Sequence, residues 1–304
     1  MKRENPKQNS RQNNSNQLDL DQYLLIPIFL ILLIIATTEA RATETSATQM
    51  SKAKIEDIAP AASAKKLALT LTLEHASDLK SKANPDRDES TSLIIQPKYN
   101  MSETAFLEGR IDLVQNYDSE KRTGVTNSVI ILSPTKIDLS KEIAFMPEVS
   151  VSLPTDEKIR DDESYQGSVT LRPSVLYSSE AVKGLAILNR VYINKNFHQY
   201  ELKRDFSANA EYSIRNRFAV VYNFTEKFAL ELVNDYTRSW TYNGYSKDAF
   251  YLAQALGYEF AKDWNVSVSH KNEGSARGPN NNGENIELFA QKSSYLSLGL
   301  AHVF

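Results

Sequence analysis

The chain has 304 residues, 41% of them hydrophobic, and a net charge of −3 from 35 basic and 38 acidic side chains. That balance leaves no basic surface for nucleic acid, and a chain without cysteine forms neither a disulfide framework nor a thiolate metal site. Ten glycines and ten prolines exclude long low-complexity regions.

Lys2, Arg3, Lys7 and Arg11 precede an apolar run from Tyr23 to Ala36, and Ala40, Arg41 and Ala42 follow it. Basic, apolar and small-residue segments in that order predict a secretory signal peptide over residues 1–42. The run is shorter than the roughly 20 residues needed to cross a bilayer as a helix. Residues 43–65 are rich in Ala, Ser, Thr and Lys, with Ile55 and Ile58 to bury. They read as a periplasmic arm, disordered or lodged in the mouth of a larger domain. No later apolar run approaches 18 residues, so no membrane helix is expected.

From Lys66 onward the signal is period two. A first strand near 66–76 sets Leu67, Leu69, Leu71 and Leu73 against Lys66, Thr70, Thr72 and Glu74. A second lies near 91–101, and a third, near 104–116, opposes Leu107, Ile111 and Leu113 to Glu108, Arg110 and Asp112. A fourth near 124–133 has no clear phase. The fifth (142–153) and sixth (165–177) alternate cleanly, whereas the seventh (182–195) slips phase and suggests a bulge. The eighth keeps one phase from Phe206 to Phe224, longer than soluble strands usually run. Four more follow near 228–240, 247–260, 264–273 and 285–304. Short connections alternate with long ones, as in barrels with tight periplasmic turns and long outer loops. Only Pro134 to Lys141 is too long for its turn. The expectation is an all-β fold: a twelve-stranded antiparallel transmembrane β-barrel over residues 66–304.

The last strand ends Ser297-Leu-Gly299-Leu-Ala-His302-Val-Phe304. This resembles the C-terminal assembly signal of bacterial outer-membrane β-barrels, with His302 where that signal usually has an aromatic or aliphatic residue. The resemblance implies a Gram-negative outer-membrane protein, contacts with outer-membrane lipid and lipopolysaccharide, and recognition of Ser297, Gly299, His302 and Phe304 by the barrel-assembly machinery. In strand number the chain is similar to the twelve-stranded oligogalacturonate-type oligosaccharide channels. Aromatic residues near the short turns, among them Tyr222, Phe224, Phe228, Tyr258, Phe260 and Trp264, fit an interfacial girdle.

With the apolar parity toward lipid, the other parity lines a charged lumen. It carries Arg110, Arg172, Arg190, Arg215 and Arg217, with Glu108, Asp112, Glu148, Glu211, Glu231, Asp235 and Glu259. Buried charges must be hydrated or paired. The lumen therefore either holds water, as a porin-like channel for passive diffusion of small polar solutes, or is closed by charges pairing across it, as in a structural or surface-interaction barrel. An outer-membrane lipid hydrolase is the third possibility. Its one candidate base among His75, His198, His270 and His302 is His270, near Ser269 and Ser275, but the residues after it do not match the His-x-Ser-Asn order of barrel lipid hydrolases. No enzyme, cofactor or metal site is expected.

Overall fold

The computed structural model describes residues 66–80, 87–102, 105–117, 122–134, 136–277, 285–289 and 293–304; the expected signal peptide and arm lie outside them. The strands are β1 (Leu67–Asp78), β2 (Glu89–Ser102), β3 (Ala105–Asn116), β4 (Thr123–Val125), β5 (Val129–Pro134), β6 (Ile137–Asp138), β7 (Ile143–Met146) and β8 (Val149–Ser152). After helix α1 (Glu157–Glu163) come β9 (Tyr165–Leu171), β10 (Ser174–Ser178), β11 (Leu185–His198), β12 (Ala210–Asn223), β13 (Phe228–Thr241), β14 (Ser246–Ala261), β15 (Trp264–Ser275) and β16 (Ser294–Val303). They form one antiparallel sheet that closes where β1 pairs with β16, from Thr70 opposite Val303 to Asp78 opposite Tyr295. Counting β4 to β6, β7 with β8, and β9 with β10 as single staves, the closed barrel has twelve.

The staves break at proline because proline offers no N–H to the ladder. Pro147 separates β7 from β8, and Pro173 separates β9 from β10. The two prolines lie at one level of neighbouring staves, since Ser174 pairs with Met146 and the Arg172 amide donates to the Glu148 carbonyl at 2.8 Å.

Alternation places apolar side chains outside. Leu67, Leu73, Leu107, Ile111, Ile130, Leu132, Val149, Val151, Leu232, Leu296 and Leu298 are exposed, while Thr70, Thr72, Ser150, Ser168 and Ser174 are buried. A soluble protein would invert this pattern; a barrel in lipid requires it. One band of aromatic contacts follows the short turns. Tyr222, Phe224 and Phe228 touch in sequence, with ring centroids 4.9 and 5.3 Å apart. Trp264 stacks on His302 at 4.3 Å, and His302 meets Phe304 edge-on at 4.3 Å. His302 also reaches the Asp263 carbonyl through Nδ1 at 3.1 Å. The histidine that departs from the usual end pattern thus takes an aromatic's place in the girdle. Gly299 sits where an added Cβ would lie 2.6 Å from Ser267 Oγ, so no larger residue fits without a shift.

Three expectations need correction. The stretch after Pro134 is not a long connector: β6 pairs with β7, and the turn is confined to residues 139–142. The nineteen-residue eighth strand is fourteen residues long. Above it, residues 199–209 form a separate hairpin whose tip holds Phe206 at φ 65°, a left-handed conformation outside the extended range of a strand. The bulge expected within 182–195 lies instead at Phe197/His198, where β11 meets β9.

Candidate functional site

The interior wall has two storeys. Toward the short turns, Met146, Leu176, Ala186, Leu188, Ala219, Val233 and Ala253 form an apolar cluster, with Leu188 only 1% exposed. All seven occupy the parity expected to be polar. Immediately on the long-loop side of this layer lie the arginines. Arg190 on β11 pairs in register with Ser174 and with Arg217 on β12, and Arg172 occupies the gap between β9 and β10 beside Pro173.

Four guanidiniums surround one ring. Arg215 lies 3.7 Å from the Tyr192 ring centroid, Arg172 5.2 Å, Arg217 5.8 Å and Arg190 6.0 Å. The negative face of the phenol ring attracts cations and lets them approach one another. Two carboxylates answer them. Glu148 Oε2 is 3.5 Å from both Arg172 and Arg190, while Asp235 accepts a bidentate pair of bonds from Arg217 at 2.8 and 2.7 Å and stands 3.8 Å from Arg215. Arg172 Nε, Arg190 Nε and Glu148 Oε2 are buried without a hydrogen-bond partner among the described residues. Arg190 is 3% exposed, so an unmatched donor there is costly unless a solute or water meets it.

The other expected lumenal residues are dispersed. On β3, Arg110 forks onto Asp112 at 2.9 to 3.2 Å, and Glu108 lies in register with Lys98, whose ammonium sits 3.8 Å over the Phe106 ring. Glu231 is buried on β13, and Glu259 lies near the turn end of β14. Glu211 stands apart. At the Ala210/Tyr212 register shift it joins Lys195 at 2.5 Å, and Lys195 opposes exposed Tyr212 on the outer face. The bulge turned this carboxylate out of the lumen.

A cavity of about 320 Å³ opens beside the arginines, lined by Arg215, Arg217, Asp235, Thr237, Tyr251 and Glu273. A wider one of about 860 Å³ lies among the long loops, between α1 and the 199–209 hairpin. Hydrogen bonds join those two loops, from the Arg204 amide to the Asp162 carbonyl and from Asn209 Nδ2 to the Glu163 carbonyl, while Asn209 Nδ2 also donates to the Tyr200 carbonyl within the hairpin. Sequence reasoning missed Tyr192, Tyr251 and Glu273. Tyr192 was hidden because the apolar layer puts hydrophobic residues on both parities of β11 and erases its alternation.

His270 does not assemble a hydrolase. Its Nε2 has no hydrogen-bond partner among the described residues, and its ring packs 4.6 Å from Phe289. Ser269 points inward to Ser297 at 2.6 Å, and Ser275 bonds the Arg277 carbonyl. Among the described residues no group of three or more His, Asp or Glu side chains could hold a metal ion.

The barrel is similar to the COG4313 outer membrane channel of Pseudomonas putida F1, at 13% identity over 78% of this chain and 95% of that one, with a TM-score of 0.53. It is also similar to the NanC porin, at 12% identity over 77% and 98% of the two chains and a TM-score of 0.50. For the KdgM porin in complex with disordered oligogalacturonate, identity is 10% over 77% and 99%, and the TM-score is 0.45. No curated protein matches the chain. The first two likenesses identify the fold of outer-membrane porins. A family model matches residues 86–304, every stave but the first, and the chain belongs to that family, described as the putative MetA-pathway of phenol degradation.

Proposed function

We propose that the protein is exported by its N-terminal signal, inserts into the outer membrane of a Gram-negative cell and conducts small polar solutes passively, with anions favoured. One observation carries the preference: four arginines converge on Tyr192, and two carboxylates face them. A net positive charge in a narrow pore admits anions and repels cations, because image and desolvation costs amplify each charge there. The likeness to outer-membrane channels supports the passive mode. Contacts of the exposed apolar band with lipid, of the long loops with lipopolysaccharide, and of the last strand with the assembly machinery belong to the same reading.

Planar-bilayer recording of the purified, folded protein tests it. In a salt gradient the reversal potential should show anion preference, and Arg172→Gln with Arg190→Gln should move it toward zero. Absence of conductance defeats the channel. The buried apolar layer supports that second reading, a barrel with a closed lumen acting at the surface, and the same recording separates the two.

A further inference from the structure

We propose that the cavity between β12 and β15 is a binding site for compact zwitterions, solutes that carry a carboxylate and an ammonium on a short chain, such as ω-amino acids or short peptides. This rests on the channel reading and adds a solute class to it.

The cavity holds two opposite charges that no hydrogen bond among the described residues satisfies. Arg217 and Asp235 satisfy each other in a bidentate pair. Arg215 approaches Asp235 only to 3.8 Å, and its guanidinium carbon sits over Tyr192, 3.7 Å from the ring centroid, a contact that holds it without a hydrogen bond. No hydrogen bond to the Arg215 side chain occurs among the described residues. Across the cavity, exposed Glu273 on β15 forms neither an ion pair nor a hydrogen bond among them. Its nearest lumenal neighbour on that strand, Lys271, is already held by Glu74.

Register fixes how far apart the poles are. Arg215 lies opposite Thr237 and Thr237 opposite Ala249, while Asp235 lies opposite Tyr251 and Tyr251 opposite Glu273. Three strand spacings separate β12 from β15, about 14 Å along the backbone wall. Two long side chains converging across the inner curve shorten that gap to the reach of a small molecule. A volume of about 320 Å³ is at the small end of ligand sites, about 300 to 1,000 Å³. An anion entering alone leaves Glu273 unanswered and close to its own charge. A cation entering alone meets Arg215. A solute bearing both charges satisfies both poles, with Thr237 and Tyr251 along its length.

Single-channel current interruption by 6-aminohexanoate tests this, with hexanoate and hexylammonium as chain-matched controls. The zwitterion should interrupt current at about tenfold lower concentration than either control, the value of one further charge-assisted contact. Glu273→Gln should erase that advantage and leave hexanoate interruption unchanged or stronger, whereas Arg215→Gln should weaken both. Equal interruption by hexanoate and 6-aminohexanoate, or no shift in Glu273→Gln, overturns the site. If the barrel carries no current, the channel reading fails on its own. Calorimetric titration of 6-aminohexanoate into the detergent-solubilised barrel then decides, since Glu273-dependent binding retains the site and no binding removes it.

Discussion

The carboxyl of Asp205 accepts hydrogen bonds from the Ser207 hydroxyl at 2.7 Å and from the Ser207 amide at 2.9 Å, at the exposed tip of the 199–209 hairpin. The hydroxyl bond chiefly, then the amide bond, stabilises the charged form and holds its pKa below the ordinary value of 3.8. A carboxyl lowered on folding adds stability above its unfolded pKa and loses it as pH falls through the lowered folded value. The hairpin tip should therefore keep its order to below pH 3.8 and loosen only under stronger acid. NMR titration of the Asp205 carboxyl should show the depression, and Ser207→Ala should bring it back toward the ordinary value. An Asp205 that titrates normally in the intact protein rules this out. At this scale the sequence was partly legible. The parity of Arg172 was clear because Thr170 and Ser174 flank it on the same face, and that of Arg215 and Arg217 because Ile214, Phe218 and Val220 hold the opposite face, whereas Arg190 sits between Leu188 and Tyr192 on a strand without a readable phase. Glu211 was not, since a single inserted residue reverses which side every later side chain takes and leaves no mark in composition.

Strands were most legible where only one of their faces is apolar. β1 and β16 alternate over most of their length, as do β3 from Leu107 to Leu113 and β12 from Tyr212 to Ile214, and their existence and phase were readable. β5 and β11 were ambiguous for a physical reason: lumenal Ile131, Leu188 and Ala186 stand beside lipid-facing Ile130, Leu132 and Ile187, so hydropathy carries no period there. The closing seam gives a prediction for a single element. His302 links Trp264 to Phe304 through two ring contacts, each worth about 0.5 to 1.5 kcal/mol. His302→Ala should lower the stability of the folded barrel by roughly 1 to 3 kcal/mol, whereas His302→Phe should retain most of it. The temperature at which the compact gel band converts to the unfolded one reads this directly. Equal conversion temperatures for the alanine and phenylalanine variants would mean that the rings at the seam contribute nothing.

For the whole molecule, connector lengths gave the stave count, since turns and loops must alternate in a closed up-and-down barrel. They could not give the lumen's cross-section, which depends on side chains from six staves meeting in space. Leu188 lies in register with Leu176 and with Ala219, and Met146 on the next strand joins the same cluster. If this apolar layer is the narrowest level of the pore, Leu188→Ala should raise single-channel conductance while leaving the reversal potential unchanged, because the arginines sit one storey away. A reversal potential that moves with Leu188, or a conductance that does not, would place the constriction elsewhere. Compact gel mobility of the variant would show that it still folds.

A closed sheet behaves as a hoop: each stave is pinned to two neighbours, and ovalising the ring strains every pin. Pro147 and Pro173 each remove a pin, at one height and on adjoining staves. The hoop is therefore notched there, and thermal flattening concentrates at the notch rather than spreading around the circumference. Glu148 and Arg172 are the residues beside the two prolines, and they face each other at 3.5 Å. Breathing of the wall thus acts first on the separation of this pair, which couples the width of the opening to the charge it presents.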